Sequence, residues 1–290
     1  MTGSFTYLRP SDSDVSFGLY ATVVGLYVSP PHTPYPEQNH PIGYLFDWES
    51  GRTIDEYQII YIHKGGGILD YSGQTYTIKE GSLFLIKPNE HHRYKPHSES
   101  GWTEYYIGFS GNLSDRITSG LSGKPLIECG RNFEVVSLFE QLIVQIDNQR
   151  PSFQKICAGL ILQLIGVIES HNTSTLFKDQ KVVTLIENTR KIMVERVKEW
   201  VDFKELAIEN GISYSYFRKS FKTFTGVSPH NYFLDLKVIE SKKLLLNTSL
   251  NISEIAYGLG FNSIQYFSRL FKQRTGVSPL QFRNPNSILS

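Results

Sequence analysis

Cysteine is almost absent. Only Cys129 and Cys157 occur among 290 residues, too few for a disulfide framework or a four-cysteine zinc site. So few thiols fit a reducing compartment. The opening residues, Met-Thr-Gly-Ser-Phe-Thr-Tyr, lack the basic start and apolar core of a secretion signal. No uninterrupted apolar run approaches the roughly 20 residues that span a bilayer. The longest, Ile156 to Ile168, contains Gln163 and two glycines and reads as a buried helix. Biased tracts are also missing, and 13% of the residues are aromatic, which excludes wholesale disorder. A cytoplasmic protein with no membrane partner is expected, long enough for two separate cores.

Net charge is low as well, at +1, but it is unevenly placed. Residues 183–290 hold 15 Lys/Arg against 9 Asp/Glu, while residues 1–182 hold 14 against 19. A basic half joined to an acidic half suggests that one end meets a polyanion and the other does something different.

The acidic half alternates in short apolar bursts between turn residues. Tyr57-Gln-Ile-Ile-Tyr-Ile62, Ile68-Leu-Asp-Tyr71, Gln74-Thr-Tyr-Thr-Ile78, Ser82-Leu-Phe-Leu-Ile86 and Trp102 to Phe109 are rich in β-branched and aromatic residues. Lys64-Gly-Gly-Gly67, Ser72-Gly73, Lys79-Glu80-Gly81 and Lys87-Pro88-Asn89 separate them. Strands this short and evenly spaced predict an antiparallel barrel or sandwich. Ahead of them, Ser29 to Pro36 carries four prolines in its last seven positions and is held extended, as a linker or as an arm over the barrel opening.

A barrel opening is a usual ligand site. Arg52, Tyr57, Glu90, His91, His92, Tyr94, His97, Trp102, Glu104 and Tyr106 are the polar and aromatic residues able to line it. Aromatic faces stack on the C–H faces of sugars, while Arg and Glu hydrogen-bond hydroxyls. The His91-His92 pair also invites a metal, but neighbouring strand residues point to opposite faces, so both cannot easily reach one ion. No metal and no cofactor are expected.

From Asn132 the period becomes helical. Val135, Leu138, Phe139, Leu142, Val144 and Ile146 predict one amphipathic helix, and Ile156, Leu160, Ile161, Leu164, Ile165 and Ile168 a second after Pro151-Ser152. Their apolar faces must pack on the barrel, on another copy of the chain, or on both. The polar stretch from His171 predicts a linker over 171–182.

The basic half contains a duplication. An offset of 49 aligns Glu205 with Glu254, Ala207 with Ala256 and Gly211 with Gly260. After the turn an offset of 50 aligns Phe217 with Phe267, Lys219 with Arg269 and Phe221-Lys222 with Phe271-Lys272, and Thr225-Gly-Val-Ser-Pro229 recurs as Thr275-Gly-Val-Ser-Pro279. Each copy reads helix, glycine turn, helix, with Ser213 and Asn262 as expected caps: two helix-turn-helix units at about 203–225 and 252–275. In the second helix of each, Phe217, Phe221 and Phe224, then Phe267, Leu270 and Phe271, face inward. Outward lie Ser215, Tyr216, Arg218, Lys219 and Lys222, then Gln265, Tyr266, Ser268, Arg269 and Lys272. Arg and Lys can read guanine and Gln adenine in a major groove, while Lys222 and Lys272 are better placed for phosphate. A helix from His230 to about Leu246, roughly 25 Å long, would separate two reading heads; heads about 34 Å apart enter successive major-groove turns of double-stranded DNA.

Ile252-Ser-Glu-Ile-Ala256, Gly260-Phe261, Tyr266-Phe267-Ser-Arg-Leu-Phe-Lys272 and Thr275-Gly-Val-Ser-Pro279 resemble the signature of AraC/XylS-type transcriptional regulators, over residues 183–283. The resemblance implies base reading by outward residues early in each second helix: Ser215, Tyr216, Arg218 and Lys219, then Gln265, Tyr266 and Arg269. Gly81 to Tyr94, with Pro88, Glu90 and His92, and the strand from Trp102 to Phe109 are similar to the cupin-type sensor domain of arabinose-responsive members. That likeness implies a sugar site near Arg52, Tyr94, Glu104 and Tyr106, joined by His92 and Trp102. Glu104 stands where those members have histidine and Tyr106 where they have tryptophan. It further implies a homodimer built on the helices after the barrel, a small-molecule effector, and RNA polymerase as the partner of a non-enzymatic activator of carbohydrate genes.

The expected architecture is α+β in two domains. Residues 1–131 form a cupin-like barrel, 132–170 a helical dimerisation segment, 171–182 a linker and 183–290 an all-α DNA-binding domain. Two other readings stay open: a metal-dependent sugar enzyme with a DNA-binding tail, and a regulator whose first half binds a protein.

Overall fold

A computed structural model describes residues 4–36, 48–121, 125–176 and 180–284. The chain divides into two compact units, Met1–Ser174 and Thr175–Ser290.

The first unit is built on nine strands: β1 (Ser4–Tyr7), β2 (Tyr20–Ser29), β3 (Tyr57–Gly65), β4 (Gly67–Tyr71), β5 (Gln74–Ile78), β6 (Ser82–Ile86), β7 (His92–Pro96), β8 (Trp102–Ser110) and β9 (Leu126–Glu128). All pair antiparallel, in a six-stranded sheet ordered β1-β2-β8-β3-β6-β9 and a three-stranded sheet ordered β5-β4-β7. The central strands are buried on both faces, so they read as nearly continuous apolar runs. Their side chains sort by parity into two cores. Tyr57, Ile59 and Tyr61 of β3, Leu83 and Leu85 of β6, and Tyr105, Ile107 and Phe109 of β8 pack toward the helices. Ile60 and Ile62, Phe84 and Ile86, and Trp102 point the other way, where they meet Leu69, Ile78 and Tyr94 of the smaller sheet.

Two short helices, α1 (Asp12–Phe17) and α2 (Ser114–Thr118), border the sheet; α3 (Phe133–Asn148) and α4 (Phe153–Leu176) cover one face. Asn132 caps α3, its Oδ1 accepting from the amides of Glu134 and Val135. The inward residues Val135, Leu138, Phe139, Leu142 and Ile146 are all buried. Each such side chain contributes about 1.5–3 kcal/mol on transfer from water. Gln154 of α4 ties the layers together. Its Oε1 accepts from Ala21 N at 2.9 Å and its Nε2 donates to Ala21 O at 3.0 Å, where the register of β2 shifts against β8. By length and composition alone the stretch Phe153–Asn172 could cross a membrane, although Gln154, Lys155, Gln163, Glu169 and His171 interrupt its apolar run. Cys157, Ala158, Ile161, Leu164, Ile165 and Ile168 of this stretch are packed in the core beside the sheet.

The second unit is all helix: α5 (Gln180–Glu195), α6 (Phe203–Glu209), α7 (Tyr214–Thr225), α8 (Pro229–Asn247), α9 (Ile252–Gly258), α10 (Ile264–Thr275) and α11 (Pro279–Arg283). The expected linker over 171–182 is helical where described, since α4 continues to Leu176 and α5 begins at Gln180. The polarity there suggested a loop, but the stretch holds no Gly or Pro to stop a helix. Residues 177–179 lie outside the described residues.

Candidate nucleic-acid interface and ligand pocket

The two helix-turn-helix copies are closed by the same bonds. Asp202 caps α6 and Asn251 caps α9. Gly211 and Gly260 sit at φ 68° and 72°, the left-handed region that favours glycine. Ile212 N donates to Ala207 O at 2.9 Å, and Phe261 N to Ala256 O at 3.0 Å, closing each turn. Ala207 and Ala256 are wholly buried at the helix crossing. Ser213 Oγ accepts from Tyr216 N at 3.3 Å; its counterpart is Ser263 Oγ, accepting from Tyr266 N at 3.2 Å. The expected cap Asn262 is therefore corrected to Ser263, because the offset of 50 already applies at the end of the turn. Thr225 Oγ1 lies 2.8 Å from Phe221 O and 2.9 Å from Val227 O, and Thr275 Oγ1 repeats both distances to Phe271 O and Val277 O.

Phe217, Phe221, Phe267 and Phe271 are fully buried, so the opposite faces of α7 and α10 point to solvent. Ser215, Tyr216, Arg218, Lys219 and Lys222 are exposed on α7; Gln265, Tyr266, Arg269 and Lys272 are exposed on α10, with Ser268 half-buried. Ser215, Arg218, Lys219 and Lys222 line an open groove of about 460 Å³ with Gly226, Val227, Ser228 and Asn231. Three cations and the first turn of α8 meet there, an arrangement that attracts phosphate. On α10 the Arg269 guanidinium lies 5.9 Å from the Tyr266 ring centre, and Ser263 Oγ donates to Gln265 Oε1 at 2.9 Å.

In the first unit the residues with the most perturbed chemistry converge between the two sheets. Arg52 forms a bridge with His92 through the backbone, and its side chain donates from Nε to His92 Nε2 at 3.1 Å and from Nη2 to Tyr94 Oη at 2.9 Å. His92 Nε2 is thus an acceptor, so the ring proton sits on Nδ1 and is donated to Glu90 O at 2.9 Å. Burial, reinforced by the Arg52 charge, pulls the His92 pKa down to about 4 and keeps the ring neutral. Both nitrogens are engaged, and among the described residues no cluster of His, Cys, Asp and Glu could hold a metal ion.

Glu104, from β8, is 4% exposed. Burial pushes its carboxyl up to about 7 against three opposing pulls: the Tyr35 hydroxyl, the Arg52 charge and the Trp102 indole, which falls short of hydrogen-bond geometry. Tyr35 Oη donates to Glu104 Oε1 at 2.9 Å. The Tyr94 hydroxyl is pushed up to about 12 and Tyr106 higher still, both chiefly by burial. Trp102 Nε1, Glu104 Oε2 and Tyr106 Oη are buried without a hydrogen-bond partner among the described residues. The structure brings together Arg52, His92, Tyr94, Trp102, Glu104 and Tyr106.

Others named from sequence lie elsewhere. Tyr57 packs in the helix-facing core with its hydroxyl on Asp115, because its parity on β3 is that of Ile59. Glu90 accepts from Ser72 at the surface, and His91 is exposed with Nε2 at Ser50 O. His97 belongs to the turn between β7 and β8, its backbone amide on Gly66 O. Tyr35 and Gln58 escaped the sequence reading as pocket residues. The Tyr35 ring meets Trp102 edge-on at 5.3 Å and lies near Tyr27 and Tyr94, so the Pro-rich segment enters the pocket rather than merely linking strands. Gln58 Oε1 accepts from Arg52 Nη2 at 3.4 Å. Residues 37–47, the remainder of that connection, lie outside the described residues.

Two family models match the chain: an AraC-like ligand binding domain over residues 36–165 and a helix-turn-helix domain over residues 206–285. The chain is 28% identical over 254 residues to the Msm operon regulatory protein of Streptococcus mutans, covering 83% of this chain and 87% of that one. It is 27% identical over 259 residues to the lactose operon transcription activator of Staphylococcus xylosus, covering 81% and 87%. Among solved structures, the C-terminal domain of AraT from Geobacillus stearothermophilus is similar at 27% identity and a TM-score of 0.33, over 35% of this chain and 84% of that one. Relatives and domains alike are those of transcriptional regulators, not enzymes.

Proposed function

From a chain that belongs to the AraC family of DNA-binding transcriptional regulators, we propose an effector-controlled activator of carbohydrate genes whose barrel takes a small sugar of pentose or hexose size. One observation supports the sugar above all others. Trp102 Nε1 needs an acceptor, Glu104 Oε2 accepts when ionised and donates when protonated, and Tyr106 Oη can serve as either, all in one aromatic cage. Each unmet buried group costs about 1–3 kcal/mol, and a ring of hydroxyls supplies both donors and acceptors. Arg52 and Gln58 extend the same polar wall, and Tyr94, Trp102 and Tyr35 offer ring faces. The lactose operon activator among the relatives is consistent with this ligand class.

DNA contact falls to the exposed residues of α7 and α10, with Arg218, Lys219, Gln265 and Arg269 on base edges and Lys222 and Lys272 on phosphate. We place the dimer contact on α3 and α4, where Val144, Ile156 and Leu162 are exposed. Such a dimer pairs two DNA half-sites and presents them to RNA polymerase in the cytoplasm. Effector binding then biases the dimer between arrangements by its differential affinity for them.

The test is a thermal-shift panel of neutral pentoses and hexoses against the full chain, followed by DNA binding with and without the hit. One sugar is expected to raise the melting temperature in a concentration-dependent way and to change promoter affinity. A panel without any shift would remove the sugar reading.

A further inference from the structure

The two helix-turn-helix units do not share a core. Met193, Phe203, Ala207, Phe217, Phe221 and Phe233 belong to one apolar cluster. Leu234, Ile255, Ala256, Phe261, Phe267 and Phe271 belong to another. Helix α8 contributes to both, with Phe233 on one side and Leu234 on the other. Between the clusters lies a cleft of about 650 Å³ rather than interdigitated side chains. It opens beside the starts of both recognition helices, Tyr214 of α7 on one side and Ser263 and Tyr266 of α10 on the other.

Two lysines line that cleft, Lys204, which is exposed, and Lys237, which is buried. Lys237, on α8, is 5% exposed. Its Nζ donates to Glu199 O at 3.0 Å, in the segment that leads into α6, and to Leu259 O at the end of α9. The same Nζ lies 4.7 Å from the Phe233 ring centre, in the first core, and 5.8 Å from that of Phe261, in the second. Each unit thus supplies one carbonyl and one aromatic face to a single ammonium. Burial lowers the Lys237 pKa, the mark of a charge held where solvation is poor. A buried ammonium with fixed partners tolerates little displacement, because each lost hydrogen bond leaves charge unsatisfied. A cleft lined by apolar side chains tolerates much more.

We propose that Lys237 is a positioning residue that pins the two helix-turn-helix units to each other and so sets the spacing at which the protein reads its two DNA elements. It touches no DNA itself. The pin acts by preorganisation: with the heads fixed, the second element is met at high effective concentration only when it lies at the matching distance and phase. One inserted base pair moves that element by about 3.4 Å along the axis and about 35° around it.

The experiment uses the full chain and a duplex that it selects from a random-sequence library, together with the same duplex carrying one base pair inserted between the two recognition elements. Wild type is expected to lose at least about tenfold in affinity on insertion, and Lys237→Met less than about threefold, because a looser pair of heads pays less for wrong spacing. Lys237→Arg keeps donors and charge and is expected to restore most of the discrimination. A residue that only stabilised the fold would lower affinity for both duplexes alike and leave their ratio unchanged. If Lys237→Met does not fold by circular dichroism, Lys237→Gln is read in the same way. A ratio equal to wild type in a folded variant, or a wild type indifferent to the insertion, overturns the proposal.

Discussion

Titratable side chains are buried in one half of this molecule and left in water in the other. The barrel buries His92 and Glu104 and draws Arg52 in beside them, wrapped in tyrosine and tryptophan. The helical half fills its cores with phenylalanine and leaves Arg218, Lys219, Lys222, Arg269 and Lys272 in water. The contrast follows from what each half meets. A small ligand is selected by groups already stripped of water, which fail badly when mismatched. A polyanion is met by solvated cations that keep their charge and release counterions on contact. Lys237 is the exception in the helical half, and its buried charge faces main-chain carbonyls rather than a ligand.

Three perturbations would break or sharpen that contrast. The largest is Phe267→Ala, which removes a fully buried ring from the second helical core; about 3–5 kcal/mol should be lost. Calorimetry of the full chain is expected to show a helical transition moved to lower temperature with the barrel transition unmoved. A shift of both transitions together would deny the two halves separate cores.

Next is Glu104→Gln, measured against wild type by denaturation from pH 4.5 to 7. The folded carboxyl titrates near 7 and the unfolded one near 4.5. Across that window the unfolded chain gives up its proton first, so wild-type stability is fullest at the acid end and falls as pH rises through about 7. The amide has no such dependence. Wild type should therefore lose about 3 kcal/mol relative to the variant across the window. His92, with its pKa drawn down to about 4, acts in the opposite direction, but it is present in both proteins and drops out of the difference. A difference that stays flat with pH would mean that Glu104 is solvated.

The smallest is Arg269→Ala, expected to lose about 1–3 kcal/mol on the selected DNA site and less on random duplex, measured by titration at fixed salt. Equal losses on both would leave Arg269 as a phosphate contact only.

The helical half was largely legible from sequence, for a physical reason. A duplicated turn shows itself twice, and the 3.6-residue period separates Phe217 and Phe221 from Arg218 and Lys222 without any knowledge of partners. The one misplaced cap, Asn262 for Ser263, came from counting across a turn that contains the inserted residue. The barrel was legible in its strands and much less in its assignments. Tyr57 misses the pocket through the parity of β3, whose register is set by partners far away in sequence, while Glu90, His91 and His97 lie in the connections beside β7. Strands β1, β2, β7 and β9 were not assigned from sequence. Tyr35 arrives from a Pro-rich connection whose contacts no periodicity announces. The division between the two units falls within the predicted linker, but its helical form is not announced by its polarity.

Strand β8 carries one last consequence. Along it, Trp102, Glu104 and Tyr106 lie on the pocket side, while Tyr105, Ile107 and Phe109 serve the opposite core. Selectivity and stability are therefore written on alternate letters of one short word. Evolution, or an engineer, can rewrite the even-numbered letters to retune the pocket toward another molecule while the odd ones go on holding the scaffold together.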